Sequence, residues 1–89
     1  MLPTIEENPS GLHQRYVISK ANGEPVDPNA IYFVLRIDEH GDDPSHLNAS
    51  REAARAYAEA ILRDLEAGHL EDLATDLIRL LNDVESRSE

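Results

Sequence analysis

Residues Ala30 to Asp38, AIYFVLRID, constrain the fold of this chain more than any other stretch. They hold its longest apolar run and its only Phe, and a single charge, Arg36, interrupts them before Asp38. The alternation predicts a β-strand. Ile31, Phe33, Leu35 and Ile37 point one way; Tyr32, Val34, Arg36 and Asp38 point the other. The first set is uniformly apolar and is expected to seat helices. The second is mixed, like the solvated side of an antiparallel sheet.

A partner strand precedes it. His13 to Lys20, HQRYVISK, places Tyr16 and Ile18 on one face and Arg15, Val17 and Ser19 on the other. Asn22-Gly23 signals a turn. Pro25 and Pro28 follow, so the connection is a loop and not a two-residue hairpin. Within it Pro28 fixes φ, and Asp27 is placed to accept a bond from a nearby backbone N–H. The expectation is a β-hairpin over 13–38 with a long, rigid loop. Residues 1–12 carry Pro3, Pro9 and Gly11 among acids and predict an irregular arm, ordered only at Leu2 and Ile5.

Two helices should complete the chain. After a polar loop from Glu39 to Asp42, Asp43 suits an N-cap and Pro44 the first helical position. This first helix is expected over 44–67, with Gly68 as its stop. At 100° per residue, Leu47, Ala54, Tyr57, Ala58, Ile61, Leu62 and Leu65 form a stripe to pack on the Phe33 face of the sheet. Ala49, Ala56, Ala60 and Ala67 form a second ridge, narrow enough for another helix or subunit. A second helix is expected over 69–85. Its stripe is Leu70, Leu73, Ala74, Leu77, Leu80, Leu81 and Val84, with Glu71 and Asp72 favourably placed in the first turn. The closing ESRSE should fray. The predicted fold class is thus α+β: one small domain, a two-stranded antiparallel sheet packed on a two-helix hairpin in the order ββαα.

Chain length decides how such a domain is stabilised. Its 89 residues include no Cys or Trp, one Phe and three Tyr, so the core is aliphatic and unstapled. A core of that size supplies only ~3–5 kcal/mol, which predicts a homo-oligomer. The net charge of −10 is spread evenly, −5 in residues 1–46 and −5 in residues 47–89. Such a chain repels phosphate backbones, which argues against long nucleic acid as a partner. It leaves a basic protein surface, or a small anion held in a local basic pocket. The longest apolar run is too short to span a bilayer. MLPTIEENPSG lacks the basic and apolar segments of a signal peptide, so a cytoplasmic location is expected.

Arginines dominate the candidate site. Arg51 lies inside the apolar stripe near a helix N-terminus, where the dipole disfavours a cation. Arg55 follows one turn later, and two cations at that spacing repel. Either an internal carboxylate (Asp27, Asp38 or Asp43) or a bound anion would compensate. Arginine suits phosphate because its fork bonds two oxygens at once. The candidate ligand-binding set is therefore Arg36, Arg51 and Arg55, with His46 in the first helical turn and the aromatic rings of Tyr32 and Tyr57. His40, Asp42, Asp43 and His46 form a His/Asp cluster whose spacing matches no metal motif. His13 and His69 are isolated and expected at the surface. Ser45 and Ser50 lack the partners of a hydrolase nucleophile. The glycines are too dispersed to cradle a phosphate. No catalytic residue, metal or cofactor is assigned, and the chain is expected not to be an enzyme.

GEPVDPNAIYFVLRID, followed by DPSH and REAARAYAEAI, resembles a family of small proteins from bacteria and their phages. Its members show xGxPVDPxAxYFVLRxD, then a variable loop, then DPH and an Ala-rich segment containing AYA. The resemblance covers roughly residues 16–61. This chain departs from it through the longer loop EHGDDPSH, which aligns His46 only with a residue inserted after Pro44. The resemblance implies a phage setting and hence a counter-defence role. Two routes fit: an oligomer that sequesters a small anionic, nucleotide-like signal, or an acidic mimic of nucleic acid that inhibits a basic host protein. A small structural or regulatory oligomer is the third reading.

Overall fold

A computed structural model of the chain describes residues 2–38 and 42–87, which fall into two compact units, 1–34 and 35–89. Its regular elements are helical: α1, Pro44–Arg63; a 3₁₀ turn, Gly68–Leu70; and α2, Glu71–Arg87. No strand occurs among the described residues. The expected α+β architecture is therefore incorrect, and the regular structure is an α-helical hairpin.

Asp43 starts α1. Its carboxylate accepts from the backbone N–H groups of Ser45 at 3.0 Å and His46 at 3.3 Å, satisfying two donors that a helix start leaves without partners. Pro44 takes the first turn, where a missing N–H costs nothing. The helix ends at Arg63, a turn before the expected Ala67, and Asp64 is the reason. Its backbone is extended (φ −91°, ψ 111°), and its carboxylate accepts from the Glu66 N–H at 2.9 Å. A side chain that bonds its own following backbone competes with helix continuation. The stop assigned to Gly68 is thus mistaken. Gly68 has no positive φ and opens the 3₁₀ turn leading into α2.

The apolar stripes of α1 and α2 bury each other. Ala58 and Ile61 pack with Ala67 and Ala74, flanked by Leu70, Leu77 and Ile78. Leu81 and Val84 are fully buried further along α2, and Leu47 is buried near the start of α1. Early α1 therefore faces late α2, and the hairpin is antiparallel. This mutual burial is why no sheet seats on the α1 stripe: that stripe already has its occupant. Leu65 falls in the turn after Asp64 and is 100% exposed, while Tyr57, Leu62, Leu73 and Leu80 flank the seam and are exposed as well. Ala49, Ala56 and Ala60 of the second ridge are also exposed.

Residues 2–34 are held by local bonds. Thr4 and Glu7 cap each other: the Thr4 N–H donates to Glu7 Oε1 and the Glu7 N–H to Thr4 Oγ1, both at 3.2 Å. The Gln14 N–H donates to the Pro3 carbonyl at 2.8 Å, and His13 Nδ1 meets the Asn8 carbonyl at 2.9 Å. The arm is therefore a folded-back loop, and His13, expected at the surface, is 7% exposed. Two separate turns follow. In one the Gly23 N–H donates to the Lys20 carbonyl, with Gly23 at φ +80°. In the other the Ala30 N–H donates to the Asp27 carbonyl, while Asp27 Oδ1 accepts from the Asn29 N–H at 2.8 Å. Two turns with Pro25 between them do not bring 13–20 and 30–37 into hairpin register. Both stretches lack helix, turn and bend, yet they form no ladder, and Phe33 is 72% exposed instead of seated on helices.

Two outcomes check this account. Leu81→Ala, which empties a fully buried site, should cost roughly 2–5 kcal/mol in urea unfolding followed by helical circular dichroism. Gly68→Ala should raise stability by about 0.4–1 kcal/mol, because the backbone there suits any residue and a new Cβ meets nothing within 4 Å. If Gly68 were a left-handed helix stop, the same change would lower it.

Candidate functional site

The arginines of the candidate set lie in the second unit, and internal acceptors hold each of them. Arg36 forks onto Asp38, with Nε to Oδ1 at 2.6 Å and Nη2 to Oδ2 at 3.0 Å. Residues two apart share one side of an open chain, which brings this pair together. Arg51 reaches the same residue from α1, donating from Nη2 to the Asp38 backbone carbonyl at 2.9 Å. Asp38 is thus the point on which two of the three arginines converge, one at its carboxylate and one at its carbonyl.

Arg55 turns the other way along the seam. Its Nη2 lies 3.1 Å from both carboxylate oxygens of Glu85 and 3.2 Å from Asn82 Oδ1. The ion pair joins α1 to α2 across the open side of the hairpin, with Arg55 29% and Glu85 43% exposed. Partial exposure leaves it screened by water and salt, so it is worth at most about 1 kcal/mol. What it adds is register, since it fixes which turn of α2 faces which turn of α1. Glu85 went unread in the sequence because the chain was expected to fray there. Helix α2 instead continues to Arg87, whose guanidinium lies 3.4 Å from Asp83 one turn back. That Asp/Arg spacing of four was the available signal.

Asn48, Arg51, Glu52, Arg55 and Glu85 line an open depression of about 270 Å³. Its two guanidiniums face two carboxylates, so its charge is close to balanced. His46 and Tyr57 are exposed on α1, and the His46 backbone N–H, not its ring, is engaged by Asp43. Tyr32 belongs to the first unit and is exposed there. The structure therefore brings together Arg51 and Arg55, and Arg36 with Arg51 at Asp38; neither His46 nor the two tyrosines line the depression. Of the His/Asp cluster, His40 lies outside the described residues, and no group of three metal-ligating side chains occurs among the described ones. The Ser50 hydroxyl is buried and has no hydrogen-bond partner among the described residues. No described helix is long and apolar enough to cross a membrane.

In comparisons with family models, curated proteins and solved structures, nothing matches this chain.

The Arg55–Glu85 pair has a measurable signature. A double-mutant cycle with Arg55→Ala and Glu85→Ala should give a coupling below about 1 kcal/mol that shrinks in high salt. A larger, salt-insensitive coupling would mean that the pair is desolvated.

Proposed function

We propose that this chain acts by binding, not catalysis, and that it engages a basic protein surface through carboxylates at the turn end of its helical hairpin. One observation carries the reading. The arginines suited to hold an anion are occupied by Asp38, Asn82 and Glu85, while the acids around the turn stand exposed. Residues 59–72 hold five acids, Glu59, Asp64, Glu66, Glu71 and Asp72, against one base, Arg63. Glu59, Glu66, Glu71 and Asp72 enter no ion pair among the described residues. A rigid helical end bearing carboxylates attracts a cationic surface at long range and speeds its encounter, with affinity that falls as salt rises. The resemblance to small phage proteins supports an inhibitory role, with the acids standing in for the phosphates of a nucleic acid.

Capture of a small, nucleotide-like anion is the second reading. The shared depression of Arg51 and Arg55 favours it, since an anion there would compete with Glu52 and Glu85 for two guanidinium forks.

The readings separate in one set of measurements. Binding to a basic nuclease or DNA-binding protein should weaken with salt, weaken at least ~tenfold in Glu66→Gln/Glu71→Gln/Asp72→Asn, and ignore Arg51→Ala. Cyclic nucleotides and ADP-ribose derivatives should leave the melting temperature unchanged. A nucleotide-induced shift that Arg51→Ala abolishes would reverse the order of the two readings.

A further inference from the structure

The apolar residues of AIYFVLRID are exposed where burial was expected. Ile31, Tyr32, Phe33 and Val34 are all exposed, Phe33 most of all. The chain runs from Ala30 to Ile37 without helix, turn or bend, and Ile31 to Leu35 make no backbone hydrogen bond among the described residues. Such a segment has the pattern of a strand and lacks a ladder. Its unused N–H and C=O groups are a template for another chain, and its apolar side chains gain nothing in water.

We propose that residues 31–37 pair antiparallel with the same residues of a second copy of this chain, about a two-fold axis at Val34. Three observations select a second copy as the occupant.

The first is register. About Val34, Ile31 meets Ile37 of the other copy, Phe33 meets Leu35, Tyr32 meets Arg36, and Val34 meets itself. Every apolar residue of the odd-numbered face thus opposes another apolar residue. The one polar pair sets a guanidinium over an aromatic ring, a favourable cation–π contact. Moving the axis by half a residue would oppose the apolar face to the mixed one, so the register specifies itself.

The second is charge. Residues 13–37 contain three bases, Arg15, Lys20 and Arg36, and two acids, Glu24 and Asp27, for a net +1 in a chain of −10. Two copies repel each other nearly everywhere else. Here they do not, which makes this the electrostatically favoured place for like to meet like.

The third is symmetry. A two-fold pair uses one patch twice, closes on itself and leaves no growing edge of this segment exposed on the inner side. The pairing uses only the local backbone of the strand and asks nothing of how the two units lie.

The absence of native Cys makes the test clean. Val34→Cys should form a disulfide-linked dimer under mild oxidation at least tenfold faster than Glu59→Cys. An equimolar mixture of Ile31→Cys and Ile37→Cys should cross-link between the two variants in preference to within either. Light scattering should give the unmodified chain about twice its 9.9 kDa mass, and Val34→Pro, which removes a ladder donor, should halve that value while helical circular dichroism is retained. A monomeric parent chain, equal cross-linking at positions 34 and 59, or a dimer that survives Val34→Pro would each overturn the proposal. The last outcome would move the interface elsewhere, to the exposed Tyr57, Leu73 and Leu80 flank of the hairpin.

Discussion

The packing of α1 against α2 is the constraint on which the rest depends. Each helix carries one apolar stripe, and neither is stable alone in water at this length. Joined through Ala58, Ile61, Ala74 and Leu81, they exclude water from both stripes at once. The alanines permit close approach and the larger residues fill the space beside them. Because each stripe is used up by the other, the remaining apolar residues, Phe33 and its neighbours above all, find no seat on the helices and stay in contact with solvent. Exposure in one half of the chain follows from satisfaction in the other.

The helical half was legible in the sequence because its signals are local. Asp43-Pro44 marks a helix start through bonds made within three residues, and the 3.6-residue spacing of Ala58, Ile61, Ala74 and Leu81 identifies the buried faces. The end of α1 was less legible. Gly68 is the commoner stop residue, but Asp64 came first in the chain and captured the Glu66 N–H before helix could reach Gly68. The sheet was illegible for a different reason. Alternation in 30–38 reports only which way side chains would point if a ladder formed. Whether it forms depends on a partner, and the two-turn connection does not deliver 13–20 as that partner.

Site residues divide in the same manner. Arg51 and Arg55 were recognisable as cations in awkward places on a helix. What satisfies them was not, because Asn82 and Glu85 lie far along the chain and the Asp38 acceptor of Arg51 is a backbone carbonyl, which any residue could supply. The mistake over His13 is similar. A lone histidine has no sequence signature of burial, and here the Asn8 carbonyl holds it inside a folded-back arm.

The short turn between the helices bears on time as well as on structure. Asp64 bonds Glu66 directly and its carbonyl accepts from the Ala67 N–H, so the reversal is complete within four residues of the end of α1. Closing so small a loop costs little chain entropy, and the contacts it brings together are near in sequence. The helical hairpin can therefore assemble early and quickly, before any event that needs two molecules to meet. Association through the exposed strand would then be a second-order step on a preformed body. Its rate would scale with concentration while that of the hairpin would not, so the amount of protein made, not its folding, would govern when the assembled form appears.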